Sequence, residues 1–148
     1  MKDFIELKGV FELNIFKIVD GKKILVENYI DNNTIVNLGK EKVVKLIGND
    51  DGFHYITSIG FGTSNVNPTV MDIGLTNIFT KGVSNVVFPT YKSVKFEWEL
   101  LVNENNNVNI VEFGLLCSDG TLFARKVRGV IQKKSDVYLS GAWTIEIL

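Results

Sequence analysis

The stretch Val137-Tyr138-Leu139-Ser140-Gly141-Ala142-Trp143-Thr144-Ile145-Glu146-Ile147 decides the fold. Val137, Leu139, Trp143, Ile145 and Ile147 share one parity, and Tyr138, Ser140, Thr144 and Glu146 share the other, so an extended chain here buries one side and wets the opposite one. Gly141 falls on the apolar side and makes it shallow at mid-strand. Just upstream, Val111, Phe113, Leu115 and Cys117 repeat the alternation. Ser118-Asp119-Gly120-Thr121 then reverses the chain, because Asp-Gly readily supplies the positive φ of a tight hairpin. The whole segment from Val108 to Leu148 therefore reads as antiparallel β-structure with no catalytic group in it.

The same grammar extends toward the N-terminus. Phe11, Leu13 and Ile15 alternate with Glu12 and Asn14, stop at Asp20-Gly21, and resume at Ile24, Val26 and Tyr29, which predicts a first hairpin. Asp31-Asn32-Asn33-Thr34 is a polar turn and Ile35 to Asn37 a short strand. From Leu38 to Ile47 the period changes to that of a helix, with Val43, Val44, Leu46 and Ile47 on its apolar side, Asn37 as N-cap, Lys45 in the last turn and Gly48 in the left-handed C-terminal position. Tyr55 to Gly62 reads as a strand, Thr63 to Pro68 as a long loop, and Asp72 to Phe79 as loop with a short helical turn. Val94, Phe96, Trp98, Leu100 and Val102 face inward on a strand whose partner is either Lys81 to Phe88 or Val108 to Cys117. About eight strands and one short α-helix predict a mainly β protein, an antiparallel two-layer β-sandwich.

The chain of 148 residues, 45% hydrophobic, has the size and apolar content of a single domain spanning 1-148, with a core that needs neither disulfide nor metal. Lys and Arg total 16 against 17 Asp and Glu, a net charge of −1 that provides no field to gather nucleic acid or an anionic membrane. No apolar run reaches the ~18 residues of a membrane span. A single cysteine and a start without a secretory signal predict synthesis in the bacterial cytoplasm.

Residues able to carry chemistry each have a plainer reading. His54, the one histidine, lies in a turn and reads as an exposed loop residue. Asn49-Asp50-Asp51-Gly52 resembles a calcium loop but lacks its spaced ligands and closing Glu, so it reads as a solvated turn. Glu97 and Glu99 share a strand face, as paired glycosidase carboxylates would, yet any wet strand has this spacing. Cys117 reads as a buried core thiol, and Gly60-Phe61-Gly62 as a bulge or close backbone approach. The expectation is no catalytic residue, no cofactor and no metal. Arg125-Lys126-Val127-Arg128 is the strongest polar cluster, suited to cross-strand pairing with Glu112, Glu97 or Glu99 or to an interchain salt bridge. Arg125, Lys126 and Arg128, with the apolar Phe16, Ile18, Leu101 and Leu148, are the candidate interface residues.

Ile59-Gly60-Phe61-Gly62-Thr63 followed by Asn67-Pro68, then Glu112-Phe113-Gly114-Leu115-Leu116, Asp119-Gly120-Thr121-Leu122-Phe123-Ala124-Arg125 and Ser140-Gly141-Ala142-Trp143-Thr144-Ile145, resemble small tail-associated structural proteins of bacteriophages and prophages, including tail-fibre attachment domains. The resemblance covers about the last two-thirds of the chain. It implies a non-enzymatic virion or phage-like particle component, a tail, baseplate or tail-fibre adaptor. Such a component acts by oligomeric assembly with copies of itself and with neighbouring tail or baseplate proteins. Without shaft repeats in the sequence, a small adaptor, baseplate component or capsid decoration protein fits best. The rival expectation is a carbohydrate-binding module that stacks cell-wall glycan on Tyr55, Tyr91, Trp98 or Trp143.

Overall fold

The computed structural model describes residues 5–148. Ten strands and one helix follow in the order β1 (Leu7–Val19), β2 (Lys22–Asn32), β3 (Thr34–Ile35), α1 (Asn37–Ile47), β4 (Ile56–Gly62), β5 (Phe79–Gly82), β6 (Asn85–Thr90), β7 (Ser93–Leu100), β8 (Val108–Cys117), β9 (Leu122–Lys133) and β10 (Val137–Ile147). They form two five-stranded sheets, β2-β1-β10-β7-β6 and β3-β9-β8-β4-β5, in which every pairing is antiparallel. This is the two-layer β-sandwich that the alternation predicts.

Both hairpins read from the sequence are present. Asp20 (φ 52°) and Gly21 (φ 76°) form a two-residue turn between β1 and β2, the doubly positive geometry that matches strand twist. Gly120 (φ 88°) turns β8 into β9. The partners of β7 are β6 on one side and β10 on the other, while β8 lies in the opposite sheet. The run from Lys81 to Phe88 is not one strand. The Val83 N–H donates to Thr57 O of β4 and the Ser84 N–H to Glu97 O of β7, so the chain changes sheets between two adjacent residues. From Asp72 to Ile78 the chain is irregular, with a turn at Thr76-Asn77 and no helix, and β5 begins at Phe79.

The helix is where the sequence expected it but is rotated. Gly39 and Lys42 are buried, Val43 is half-buried, and Val44 (68% exposed) and Ile47 (81%) face out. The cause is contact with β9. A Cβ at Gly39 would overlap the Phe123 carbonyl, so the bare glycine lets the helix backbone settle on the strand and fixes which stripe faces inward. The caps also differ. Val36 is the N-cap, with no side-chain bond, while Asn37 is exposed and its Nδ2 contacts Met71 Sδ. At the other end Gly48 has an ordinary φ of −80° and Asn49 (φ 52°) takes the left-handed position. Asp50 N–H to Lys45 O and Asn49 N–H to Leu46 O complete a Schellman motif one residue later than expected.

Between the sheets the core is aromatic. Phe11 lies 4.8 Å from Phe113, 5.0 Å from Trp143 and 6.0 Å from Trp98, and Phe61 meets Trp98 edge-on at 5.6 Å, centroid to centroid. Trp98 and Trp143 are 2% and 0% exposed. The shallow point that Gly141 creates in β10 is occupied by the neighbouring indole: a Cβ there would stand 2.5 Å from Trp98 Cζ2 and overlap the Glu12 carbonyl of β1. A smaller apolar cluster, Val36, Leu116 and Leu122 with Leu75 against it, lies apart from this core. Leu75 also approaches Gly60 and Gly114, so the loop over residues 63–78 packs on β4 and β8.

Gly141→Ala is expected to lower unfolding free energy by about 1–3 kcal/mol, the cost of overpacking a filled core. Chemical denaturation of both forms would measure it. An unchanged midpoint would mean that the indole does not depend on this position.

Candidate docking face

Three features collect functional groups, and two of them are closed. At the first, Lys42 reaches from α1 to the β8–β9 turn and to the segment before β4. Its Nζ donates to Asp119 Oδ2 (2.5 Å), His54 Nδ1 (2.9 Å) and Phe53 O (3.4 Å). An ammonium has only donors, so Nδ1 must be the acceptor nitrogen of His54, and the ring proton sits on Nε2, donating to Asp50 Oδ2 at 2.9 Å. His54 is therefore not an exposed loop histidine. It is 7% exposed, with both nitrogens engaged, because the Schellman turn brings Asp50 back over it. The Lys42 hydrogen bond holds the Asp119 carboxyl well below the usual range. Asp50, of the calcium-like string, is the partner of His54, and among the described residues no three His, Cys, Asp or Glu side chains are placed to hold a metal ion.

At the second, Arg125 donates from Nε to Glu112 Oε1 and from Nη1 to Asp72 Oδ2, both at 2.9 Å, with Glu112 0% and Arg125 3% exposed. Glu112 Oε2 also accepts the N–H groups of Ser64 (2.8 Å) and Thr76 (2.9 Å). Burial pushes the Asp72 carboxyl up, but the Thr69 N–H and Arg125 outweigh it and the net direction is down. Through Ser64, Asp72 and Thr76 the cluster pins the 63–78 loop to the sheet.

The third feature is open. Between α1 and the β6–β7 hairpin lies a groove of about 520 Å³ whose floor is Leu7, Phe96, Phe123 and Ile145, and whose walls are Val43, Leu46, Tyr55 and Ile56 on one side and Val86, Phe88, Tyr91 and Val94 on the other. Lys92, Ser93 and His54 are its polar members. Its walls carry large apolar side chains in the open: Tyr91 is 99% exposed, Phe88 74% and Tyr55 59%. Lys92, at the rim, has its Nζ 3.7 Å from Glu146 Oε1.

The interface candidates read from the sequence do not converge there. Arg125 is enclosed in the second cluster. Lys126 Nζ donates to Asp31 Oδ2 at 2.6 Å and Arg128 Nη1 to Glu27 Oε2 at 2.7 Å, tying β9 across the sandwich to β2. Of the carboxylates the sequence offered to these cations, Glu112 is used, while Glu97 and Glu99 lie in the other sheet. Phe16 and Ile18 are half-buried on β1 beside β2, with the Phe16 ring tilted against Tyr138 at 5.8 Å, centroid to centroid. Leu101, just after β7, is 38% exposed and Leu148, after β10, 56%. Cys117 is buried and its thiol is pushed up to about 11 by that burial. Glu97 and Glu99 line an open surface with Glu12, Lys95 and Tyr138, and Tyr138 Oη donates to Glu99 at 2.5 Å. Burial, with that hydrogen bond, moves the Tyr138 hydroxyl up to about 12.

The sequence missed the groove because its walls come from α1 and the β6–β7 hairpin, which are far apart in the chain. One signal was available: Phe88-Pro89-Thr90-Tyr91 places two aromatics at a turn that has no core to bury them. No family model, curated protein or solved structure matches the chain. No helix among the described residues is long and apolar enough to cross a membrane.

Two outcomes test the ionic clusters. Lys42→Met should cost about 1–3 kcal/mol, since it strands a buried acceptor on His54 and a carboxylate on Asp119; urea unfolding measures it. The carboxyls of Asp31, Asp72, Asp119 and Glu104, the last accepting from Lys81 Nζ at 2.7 Å, all sit below their ordinary values, 3.8 for the aspartates and 4.5 for the glutamate. A lowered folded value makes their contribution complete above the ordinary value and lost as pH falls through the folded one. Thermal midpoints should therefore decline as pH drops below about 4.

Proposed function

We propose that this chain is a non-enzymatic assembly module, a structural component of a phage or phage-like particle, and that it docks another copy through the face around the α1–hairpin groove. The supporting observation is the apolar rim. Leu46, Tyr55, Val86, Phe88, Tyr91 and Ile147, all lining the groove, are each between 43% and 99% exposed. At about 150–250 Å² for a large aromatic and less for an aliphatic, scaled by those exposures, they present roughly several hundred Å². A stable association needs roughly 800 Å² per partner. Isolated exposed apolar residues need no explanation, but a continuous patch of this size on a folded chain does.

A second copy suits the face because it holds both halves of a lock. Tyr91 and Phe88 project beside the groove, so a twofold axis would set the hairpin of each copy over the groove of the other. The rim cation, Lys92, already has Glu146 beside it, which leaves little charge to oppose the contact. The particle context rests on the resemblance of the Gly-Phe-Gly, Asp-Gly-Thr-Leu-Phe-Ala-Arg and Gly-Ala-Trp strings to tail-associated proteins. Tail and baseplate neighbours are the further partners it implies, with assembly in the virion as the place of action.

A glycan-binding reading draws on the exposure of Tyr55 and Tyr91, which could stack a sugar ring. Trp98 and Trp143 are buried in the core and offer no platform. The groove supplies few donors or acceptors for sugar hydroxyls, since His54 has both nitrogens engaged. Saturable binding on a cell-wall glycan array, lost in Tyr91→Ala, would favour it over assembly.

Sedimentation equilibrium tests the assembly reading. The chain should self-associate at micromolar concentration, and Phe88→Ser with Tyr91→Ser, both at exposed positions, should weaken that association at least tenfold without moving the thermal midpoint. Association unaffected by these changes would remove the groove from the interface.

A further inference from the structure

The helix α1 is held by few contacts. Its buried residues are Gly39 and Lys42, Leu38 and Val43 are half-buried, and Val44, Leu46 and Ile47 are exposed. Its position therefore depends on the approach of Gly39 to Phe123 and on what Lys42 reaches. Lys42 Nζ gathers acceptors from two other segments: Asp119 Oδ2 of the β8–β9 turn, and His54 Nδ1 and Phe53 O just before β4. Val43 and Leu46, on either side of Lys42 in sequence or one turn on, form part of one groove wall, and Tyr55 and Ile56, directly after His54, form the rest. The hydrogen bond between Lys42 and His54 ties the two halves of that wall together.

That bond exists only while His54 is neutral. A proton on Nδ1 removes the lone pair that accepts from Lys42 and sets two cationic donors 2.9 Å apart. Histidine is the side chain whose charge ordinarily changes between about pH 5 and 8. The charged and titratable groups around it come from every neighbouring segment. Asp50, in the turn, accepts from Nε2 and is also 3.9 Å from Lys45 of α1, which has Glu41 at 3.8 Å. Asp119 and the Cys117 thiol lie on the far side of Lys42, and Lys92, beside Glu146, lines the opposite groove wall. For an imidazolium the near attraction is Asp50 and the near repulsion is Lys42. The Asp50 side chain is 53% exposed, so solvent screens it, whereas the side chains of Lys42 and His54 are each 9% exposed and screened far less. Asp119, its carboxyl held down by Lys42, keeps its charge across this range and retains the lysine. The ring has no room to turn, since Gly52 (φ 144°) packs so close that a Cβ there would stand 2.8 Å from Nε2. The two cations separate only when α1 and residues 53–56 move apart.

We infer that His54 is a proton-operated release for the groove: neutral, it joins the two halves of one wall through Lys42, and protonated, it drives them apart, so that self-association through this face is lost as pH falls from about 8 to 5. The loss of association rests on the groove reading; the movement of the wall does not. The assembled form holds the ring neutral and therefore binds fewer protons than the separated form, which acid favours. The protonation of the lowered carboxyls falls below about pH 4 and lies outside this window.

The chain has a single histidine, so one imidazole signal reports the proton directly. In the Phe88→Ser, Tyr91→Ser form, NMR titration over the same range should move the methyl signals of Val43, Leu46 and Ile56 with the midpoint of the imidazole. In His54→Asn, which keeps an acceptor for Lys42 but takes no proton, those methyls should stay in place. Light scattering should show wild-type association weakening by on the order of tenfold or more across the range, and the ratio for His54→Asn, whatever its affinity at the upper end, staying within about twofold. Lys42→Met leaves the ring no cation to face and should flatten the response in the same way, which supplies the comparison if His54→Asn does not fold. Wall methyls that ignore the imidazole titration overturn the inference. Association that needs Phe88 and Tyr91 yet survives acid, or declines equally in His54→Asn, also overturns it and leaves the groove reading standing. Methyls that follow the imidazole in a chain that does not associate through Phe88 and Tyr91 do the reverse: the wall responds to His54, and the groove reading falls.

Discussion

The sandwich depends on one close approach: the indole of Trp98 lying across the bare backbone of Gly141, with the Glu12 carbonyl beneath. That contact lets three adjacent strands, β1, β10 and β7, share a surface flat enough for Phe11, Trp98 and Trp143 to meet Phe61 and Phe113 of the other sheet. Aromatic pairs gain from such offset and edge-on geometry beyond the area they bury. Interiors pack near crystal density, so a single added methyl at this point has nowhere to go without moving a tryptophan or a strand.

Around that core, charge and apolarity change their usual places. Lys42, Glu112, Arg125, Lys126 and Lys133 are buried, whereas more than twenty large hydrophobic side chains are exposed. The buried ions are paired or hydrogen-bonded: Lys133, for example, donates to Asn106 Oδ1 (2.8 Å), Val102 O (3.4 Å) and Lys134 O (3.3 Å), and burial lowers its ammonium below the ordinary lysine value. These groups fasten loops and the helix to the sheets, which frees apolar residues of α1, the β6–β7 hairpin and β2 from covering the core. A protein that fixes its irregular segments with ions can keep hydrophobic surface for contacts outside itself, and this is the physical basis of the assembly reading.

The same exchange explains where sequence and structure part. Parity located β1, β2, β7, β8 and β10 and placed both tryptophans inward, because burial of one sheet face imposes a period of two along a strand. It gave the wrong helical stripe because a helix wheel counts hydrophobic residues, whereas Gly39 against Phe123 and Lys42 against Asp119 and His54 decided the orientation by fit and ion pairing. It treated His54 as exposed because Asp50 and Lys42, its two partners, approach it only once the turn and the helix are in place.

Alternation and turn chemistry are local, so the chain alone determined the antiparallel two-sheet class, the Asp-Gly reversals and the residues of the aromatic core. Which strands became edges, where α1 settled and which apolar residues stayed uncovered are set by contacts between distant segments. The crossing at Val83 and Ser84, which divides Lys81 to Phe88 between two sheets, leaves no trace in periodicity, yet it builds one wall of the groove. Tertiary packing alone decided the docking face, because a surface is defined by what fails to cover it.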